Sequence, residues 1–556
     1  MSPDPRPWLK LYGPGRPTGL VPGHPTMLAA YRASVRRAPD TVVLRYFDGE
    51  TTLADLDRAS DALAVALRHA GFTRGDRLAL YLQNDPAFVV GLLAAWKAGG
   101  SAVPINPMNR AGELTYVLRD SGARALLCLD DLWADVAREV VGGGTTDVRL
   151  VVTVNAREGQ RRDEARVLTL ATAPDVSDTV RLADLFAAHD GAAPDPVTVE
   201  PGDVAVLTYT SGTTGRPKGA MNTQAGLVFT SCVYRDWMGL TSGDSILGIA
   251  PLFHITGLVG HTALALLLPC PLVLTHRFHP EVMVEALREH RPTFTVAAIT
   301  ALTAMVAAST RPREDFSSLR ALYSGGAAIA PAVSDAFLES TGVPIHTIYG
   351  LTETTSPTHA APLGARAPVD PATGALSIGV PVFGTGARVL TDDGQESAPG
   401  EIGEIVVTGP QVVPGYWNRS EETAETMPGG ELRTGDVGFM DALGWFYLVD
   451  RKKDLIIAGG YKVWPREVED LLYTHPAVRE AAVIGVPDDY RGETVKAVVT
   501  LRPGAKCDPG ELIAFARERL SVYKCPRIVE IVDELPKTAT GKILRRALRT
   551  SQDTPS

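Results

Sequence analysis

The chain has 556 residues, 45% of them hydrophobic and 21% charged, with a formal net charge of −10. That length is too great for one small module, so two or more globular units are expected. The composition excludes a disordered chain, and the acidic balance excludes a generic nucleic-acid surface, which needs a basic stripe.

In chain order, residues 1–26 are rich in Pro and Gly and read as an extended arm. The spacing of Ala, Leu and Val predicts helices over 27–37, 54–70 and 87–98. Between and after them come β-rich runs at 77–82 and 101–105, the second ended by Asn106-Pro107. Such alternation argues for an α/β layered domain built on a mostly parallel sheet. Residues 155–200, with Arg-, Thr- and Pro/Asp-rich segments, read as a surface excursion, because α/β alternation resumes at Val204. Charge density rises abruptly at Asp450-Arg451-Lys452-Lys453-Asp454. Beyond it, helices over 465–474 and 509–520 and strands over 480–486, 494–501 and 527–532 describe a small α+β domain. The expected division is 1–449, a charged hinge at 450–453, and 454–556.

Five cysteines (Cys128, Cys232, Cys270, Cys507, Cys525) are an odd number without a CxxC pair, so neither a disulfide framework nor a zinc site is expected. The N-terminus lacks the layout of a signal peptide. The longest apolar run, 263–274, contains two prolines and is shorter than the roughly 18–20 residues a membrane span needs. A soluble, cytoplasmic protein with small-molecule partners, no nucleic acid and no membrane span is expected; the sequence does not reveal its oligomeric state.

The strongest local signal is Tyr209-Thr210-Ser211-Gly212-Thr213-Thr214-Gly215-Arg216-Pro217-Lys218-Gly219, after the β-rich run 204–207. Three glycines let backbone approach an anion, the hydroxyls of Thr210, Ser211, Thr213 and Thr214 add donors, and Lys218 adds charge. Together they suit a polyphosphate. The string is not the GxxxxGK[ST] loop, because Pro217 separates Arg216 from Lys218.

Seven further strings stand in order: Pro251-Leu252-Phe253-His254, Ser324-Gly325-Gly326-Ala327-Ala328, Tyr349-Gly350-Leu351-Thr352-Glu353-Thr354, Arg433-Thr434-Gly435-Asp436, Asp450-Arg451-Lys452-Lys453-Asp454, Gly459-Gly460-Tyr461-Lys462-Val463-Trp464-Pro465 and Pro536-Lys537-Thr538-Ala539-Thr540-Gly541-Lys542. With the phosphate loop, they make the chain from about Met27 to Arg549 resemble the adenylate-forming superfamily of acyl-CoA synthetases, luciferases and peptide-synthetase adenylation domains. The strings at 451–454, 460–467 and 491–496 look most like those of fatty-acyl or aryl-acyl-CoA ligases.

The resemblance implies a large N-terminal domain of αβαβα type with a small β-barrel-like part, and a small mobile α+β C-terminal domain. It implies ATP, Mg²⁺ and coenzyme A, with an acid converted to an acyl-adenylate and then to a thioester. Lys542 matches the lysine that bridges carboxylate and α-phosphate. Glu353 resembles the Mg²⁺ carboxylate, and Thr214 and Thr352 would support the phosphates. Tyr349 would lie against adenine, with Gly325, Gly326, Ala327 and Gly350 offering backbone to the ring and the acyl group. Asp436 resembles the ribose-binding carboxylate, and Arg451 would hold ribose or phosphate. His254 would border the acyl pocket without a proton-transfer role. Lys453 matches the pivot about which the small domain turns, bringing Gly459, Gly460, Lys462 and Trp464 towards the acceptor. His276 and His279 have HxxH spacing without a third ligand nearby, so metal binding there is not expected.

Relatives often carry His and Asn where this chain has Gln224 and Gly226, either drift in a helix behind the acyl pocket or the mark of an unusual substrate. Alternatives to coenzyme A remain within the same chemistry: an amine or carrier protein as acceptor, or nitrite activated to diazotise an aromatic amine. The absence of a Gly-Gly-x-Ser carrier site near the C-terminus disfavours a peptide-synthetase module.

Overall fold

A computed structural model describes residues 6–13, 15–168, 174–210, 216–451, 454–458, 461–488, 491–538 and 541–550. The first helix, Met27–Arg37, is started by Thr26, whose hydroxyl accepts the Ala29 N–H at 3.1 Å. The next, Leu53–His69, carries a reciprocal cap between Thr52 and Asp55. The third, Pro86–Lys97, begins with Asp85 as cap and Pro86 in the first turn. It is apolar along its length and buried, as its composition requires.

Two sheets build the large domain. One has seven strands, with Arg77–Tyr81, Ser101–Ile105, Ala125–Leu129 and Leu150–Val154 parallel at its centre. Val204–Thr210 joins them in parallel, and Lys218–Thr223 closes that edge antiparallel. The other sheet has thirteen strands; Phe294–Ala297, Ala321–Gly325 and His346–Leu351 run parallel near its middle. It continues through the antiparallel strands Ser377–Pro381, Phe446–Arg451, Leu432–Met440, Gly403–Thr408 and Gly386–Leu390. This antiparallel run corresponds to the expected barrel-like part.

The small domain has a five-stranded sheet in which Val478–Asp488 and Gly492–Leu501 form a long hairpin, with Ile528–Ile531 parallel beside it. Its apolar core, around Val463, Val468, Leu472, Val483 and Val499, is separate from the core running from Trp8 to Val449. The apolar clusters divide at about residue 450, those before it building the large unit and those after it the small one, the organisation expected from the change of texture there.

The excursion at 155–200 is more ordered than its composition led us to expect. Val180–Arg181 pairs in parallel with Leu150–Val154, and the helix Leu182–Ala188 follows. Val167, Leu168, Leu182 and Leu185 enter the main core. A few apolar residues set within polar text are enough to anchor the segment, which is why periodicity did not reveal it. Among the described residues, no helix is long and apolar enough to cross a membrane.

Candidate functional site

The strands on either side of the phosphate-loop string pair antiparallel, as the two arms of a hairpin. Val204–Thr210 pairs with Lys218–Thr223, and Thr210 lies opposite Lys218 at its mouth. Ser211, Gly212, Thr213, Thr214 and Gly215 lie outside the described residues. The flanks are pinned: Tyr116 donates to the Pro217 carbonyl at 2.7 Å, and Tyr209 donates to Asp120 at 2.7 Å. Arg419 reaches the other oxygen of Asp120, also at 2.7 Å.

Glu353 stands in a short helical turn after His346–Leu351, and its Oε1 accepts from Tyr416 Oη at 2.7 Å. Burial, and secondarily the Glu353 charge, raise the Tyr416 phenol well above its ordinary value, so it remains a donor. The Lys218 ammonium lies 5.1 Å from the centroid of the same ring. Asn222 Nδ2 donates to the Thr352 carbonyl at 2.9 Å and to Thr355 Oγ1 at 3.1 Å. The hairpin and the Glu353 turn are thus bound together, with Tyr416 held at the joint by pairing with Ala220.

Tyr349 donates to Asp436 Oδ2 at 2.7 Å. Asp436 is nearly buried and lies opposite Arg451 in the ladder between Leu432–Met440 and Phe446–Arg451; the Arg451 side chain lies outside the description. The neighbouring glycines are required by space. A Cβ on Gly325 would sit 2.1 Å from the Ile348 carbonyl oxygen, and one on Gly350 would sit 1.9 Å from that of Ser356. Gly326, at φ +80°, and Ala327 continue the exposed backbone after the strand.

Lys542 comes from the far end of the chain to this place. A Cβ on Gly326 would lie 3.0 Å from Lys542 Cε and 3.7 Å from Nζ. Gly541, at φ +80°, packs against the helix Ile299–Ala308, where Thr300 Oγ1 donates to the Gly541 carbonyl at 3.2 Å. His254 caps the turn Ile255–Gly257, its Nδ1 accepting the Thr256 N–H at 3.3 Å. Its pKa is pushed down to about 3, first by burial and then by the Lys542 charge. A neutral imidazole beside the ammonium is no proton carrier near neutral pH. Behind this turn Gly260 leaves room for the Tyr234 ring, whose hydroxyl meets Ser356 Oγ at 2.8 Å.

Lys542, Gly326 and His254 therefore meet on one side, Tyr349 and Asp436 reach each other from the strands His346–Leu351 and Leu432–Met440, and Glu353 with Lys218 marks the hairpin side. Trp464 packs against the main core. Gly459, Gly460 and Lys453 lie outside the described residues, as does the Lys462 side chain. Gln224 is buried at the start of the helix Gln224–Trp237, and its Oε1 accepts the Leu28 N–H at 3.2 Å. It serves the first turn of another helix, and a Cβ on Gly226 would lie 3.2–3.3 Å from two threonine hydroxyls. Both departures have packing reasons. His276 is likewise structural: buried, its Nδ1 lies 3.2 Å from the Tyr46 hydroxyl.

Sequence reasoning missed Tyr416, Asn222 and Thr300. Gly415-Tyr416-Trp417, a glycine before two aromatics, was a usable signal for the first. Asn222 and Thr300 carry none, because their roles depend on contacts across the fold.

The sequence matches the AMP-binding enzyme family over residues 31–417 and the AMP-binding enzyme C-terminal domain over residues 467–542. It is similar to a long-chain-fatty-acid–CoA ligase of Bacillus subtilis (strain 168), 37% identical over 98% of this chain and 97% of the relative. It is similar also to a feruloyl-CoA synthase of Amycolatopsis sp, 38% identical over 92% and 96%. Among solved structures, an anthranilate CoA ligase in complex with anthranoyl-AMP superposes with a TM-score of 0.84 at 27% identity, covering 96% of this chain and 98% of that one. ATP-bound MatB from Rhodopseudomonas palustris gives 0.82 at 27%, covering 95% and 98%.

Proposed function

The chain belongs to the AMP-binding enzymes, and from that premise we propose how this AMP-forming acyl-CoA ligase divides its work among its own residues. It uses ATP to convert a carboxylic acid to an acyl-adenylate with release of pyrophosphate, then transfers the acyl group to coenzyme A. Mg²⁺ is its metal. The acid is a fatty-acyl or aryl-acyl carboxylate, a range supported by the motif strings and by relatives named for long-chain fatty acids and for ferulate.

The difficulty of the first half-reaction is electrostatic, because one anion must approach a polyanion. Lys542 answers it. An ammonium about 4 Å from a unit charge contributes about 4 kcal/mol at an effective dielectric of 20. That is roughly three decades of rate if realised in the transition state alone. The observation that carries this role is the seating of Lys542 against Gly326, with neutral His254 beside it adding no competing charge.

A hard cation takes oxygen ligands, and the Glu353 carboxylate suits one. The Glu353 carboxylate, which accepts from Tyr416 at Oε1, would hold the metal together with Thr214, and Thr352 would support the phosphates. When bound, Mg²⁺ draws negative charge from the phosphates. Thr210, Ser211, Gly212, Thr213 and Lys218 hold the phosphates. Tyr349, with Gly325, Gly326, Ala327 and Gly350, lies against adenine and the acyl carbonyl, and Asp436 with Arg451 takes the ribose. For thioester formation the small domain, 454–556, turns about Lys453 in the 450–453 linker. That turn withdraws Lys542 and brings Gly459, Gly460, Lys462 and Trp464 to the acceptor. Free cysteines and the use of ATP and coenzyme A suit a cytoplasmic setting.

The test follows AMP and pyrophosphate over a panel of fatty and aryl acids, with and without coenzyme A, then with nitrite plus aryl amines. Acid-dependent AMP release that requires coenzyme A, with the thioester as product, is expected. Sustained turnover without coenzyme A, or turnover dependent on nitrite, would overturn the assignment.

A further inference from the structure

A dense group of ionic side chains lies where the two domains join, away from the substrate site. Asp450 belongs to the large domain's sheet, paired opposite Val437, and only 5% of it is exposed. Its two oxygens are engaged from the small domain: Arg545 Nη1 reaches Oδ1 at 3.1 Å, and the Arg466 N–H donates to Oδ2 at 3.1 Å. Arg466 also donates from Nη1 to the Leu448 carbonyl at 2.6 Å on the same sheet strand.

Arg545 is aimed by its own domain. Its Nη2 contacts both oxygens of Glu469 at 2.8 and 2.7 Å, and its Nη1 lies 3.4 Å from Asp454 Oδ2. Glu469 is fixed in turn, because Oε1 accepts the Val483 N–H at 2.7 Å. The guanidinium thus has two carboxylates that travel with it and one, Asp450, that does not.

Arg545 opens the terminal helix three residues after Lys542, and the chain between them is stiff. The Thr538 N–H donates to the Lys542 carbonyl at 2.7 Å, the Leu544 N–H to the Pro536 carbonyl at 2.8 Å, and Lys537 pairs with Ile543. Where Arg545 is anchored therefore fixes where Lys542 projects.

We propose that Arg545 is a positioning residue for acid adenylation: its bond to Asp450 latches the small domain in the orientation that seats Lys542 at Gly326, and it releases when that domain turns. This rests on the assignment of Lys542 to adenylation. Charge balance makes the latch reversible. A buried charge stripped of its partner is costly, but Arg545 keeps Glu469 and Asp454 on release, while Asp450 gains water. The planar fork of an arginine spans Asp450 and Glu469 together, which the point charge of a lysine does not.

The test measures two rates on the same preparation of full-length enzyme: acid-dependent pyrophosphate release, and thioester formation from supplied acyl-adenylate plus coenzyme A. Their ratio is independent of the folded fraction, so a merely structural defect leaves it unchanged. In Arg545→Lys and Asp450→Asn the ratio is expected to fall about tenfold or more, the scale of losing one charged contact. Asp450→Asn keeps an acceptor oxygen for the Arg466 N–H, and it decides the matter if Arg545→Lys does not accumulate. A ratio within twofold of wild type, or a raised one, would overturn the latch. Failure of the wild type to release pyrophosphate with any acid would instead strike the functional assignment itself.

Discussion

Tyr416 shows how one hydroxyl can set the geometry of a charged site. Its Oη holds Glu353 at 2.7 Å while its ring lies 5.1 Å from the Lys218 ammonium, so a phenol joins the carboxylate side of the site to the cationic side. A hydrogen bond to a charged group contributes about 1.5–3 kcal/mol. Tyr416→Phe keeps the ring and removes that bond. The KM for MgATP is expected to rise about tenfold with little change in Tm, measured by pyrophosphate release at varied MgATP. An unchanged KM would detach Tyr416 from the site. Lys542, Glu353, Tyr349 and Asp436 were legible as residues because each stands in a string with its own chemistry. Tyr416 was not read, although its glycine-aromatic string was visible, because its partner is supplied by a different part of the chain.

At the scale of elements, the ends of the parallel strands matter most. Ala321–Gly325 and His346–Leu351 carry glycines, Gly325 and Gly350, at or next to their last residue, where backbone packs against backbone. Gly350→Ala would put a methyl 1.9 Å from the Ser356 carbonyl oxygen, and Ser356, at φ +97°, has little freedom to yield. A loss of about 2–4 kcal/mol in stability is expected, read as a lower Tm, together with a higher KM for ATP. A Tm within 1–2 °C of wild type, roughly the scale of a neutral surface change, would show the strand end to be pliable. The elements read from the sequence were legible to within a few residues, including the helix Pro465–Tyr473 and the strand Gly492–Leu501, because their apolar periodicity is strong. The short strand Val180–Arg181 and helix Leu182–Ala188 were not, because only a few of their residues enter the core. Gln224, a departure from the family pattern, became intelligible only once the helix Met27–Arg37 was seen to lie over it.

The whole molecule combines a cationic site with an interior that keeps its histidines neutral. Burial pushes His254, His276 and His359 down to about 3 and His261 to about 4. A folded-state pKa below the unfolded value of about 6.5 means that the unfolded chain binds the proton more readily. The stability these groups contribute is therefore intact above pH 6.5 and is lost as pH falls towards 4. Asp85, raised to about 7 by burial, and the buried Glu469 and Asp470, raised likewise, work in the opposite sense. With four imidazoles each displaced by at least two units, Tm is expected to fall progressively between about pH 6.5 and 4.5. A flat profile over that interval would show that the imidazoles do not outweigh the raised carboxyls.

In the proposed division of labour, one lysine, carried on a separate domain, serves adenylation alone. The most direct measurement compares Lys542→Ala with wild type in two assays: acid-dependent pyrophosphate release from ATP, and thioester formation from supplied acyl-adenylate and coenzyme A. A loss of about a thousandfold is expected in the first rate, with the second largely retained. Adenylation at near-wild-type rate, or an equal loss in both assays, would contradict that division of labour.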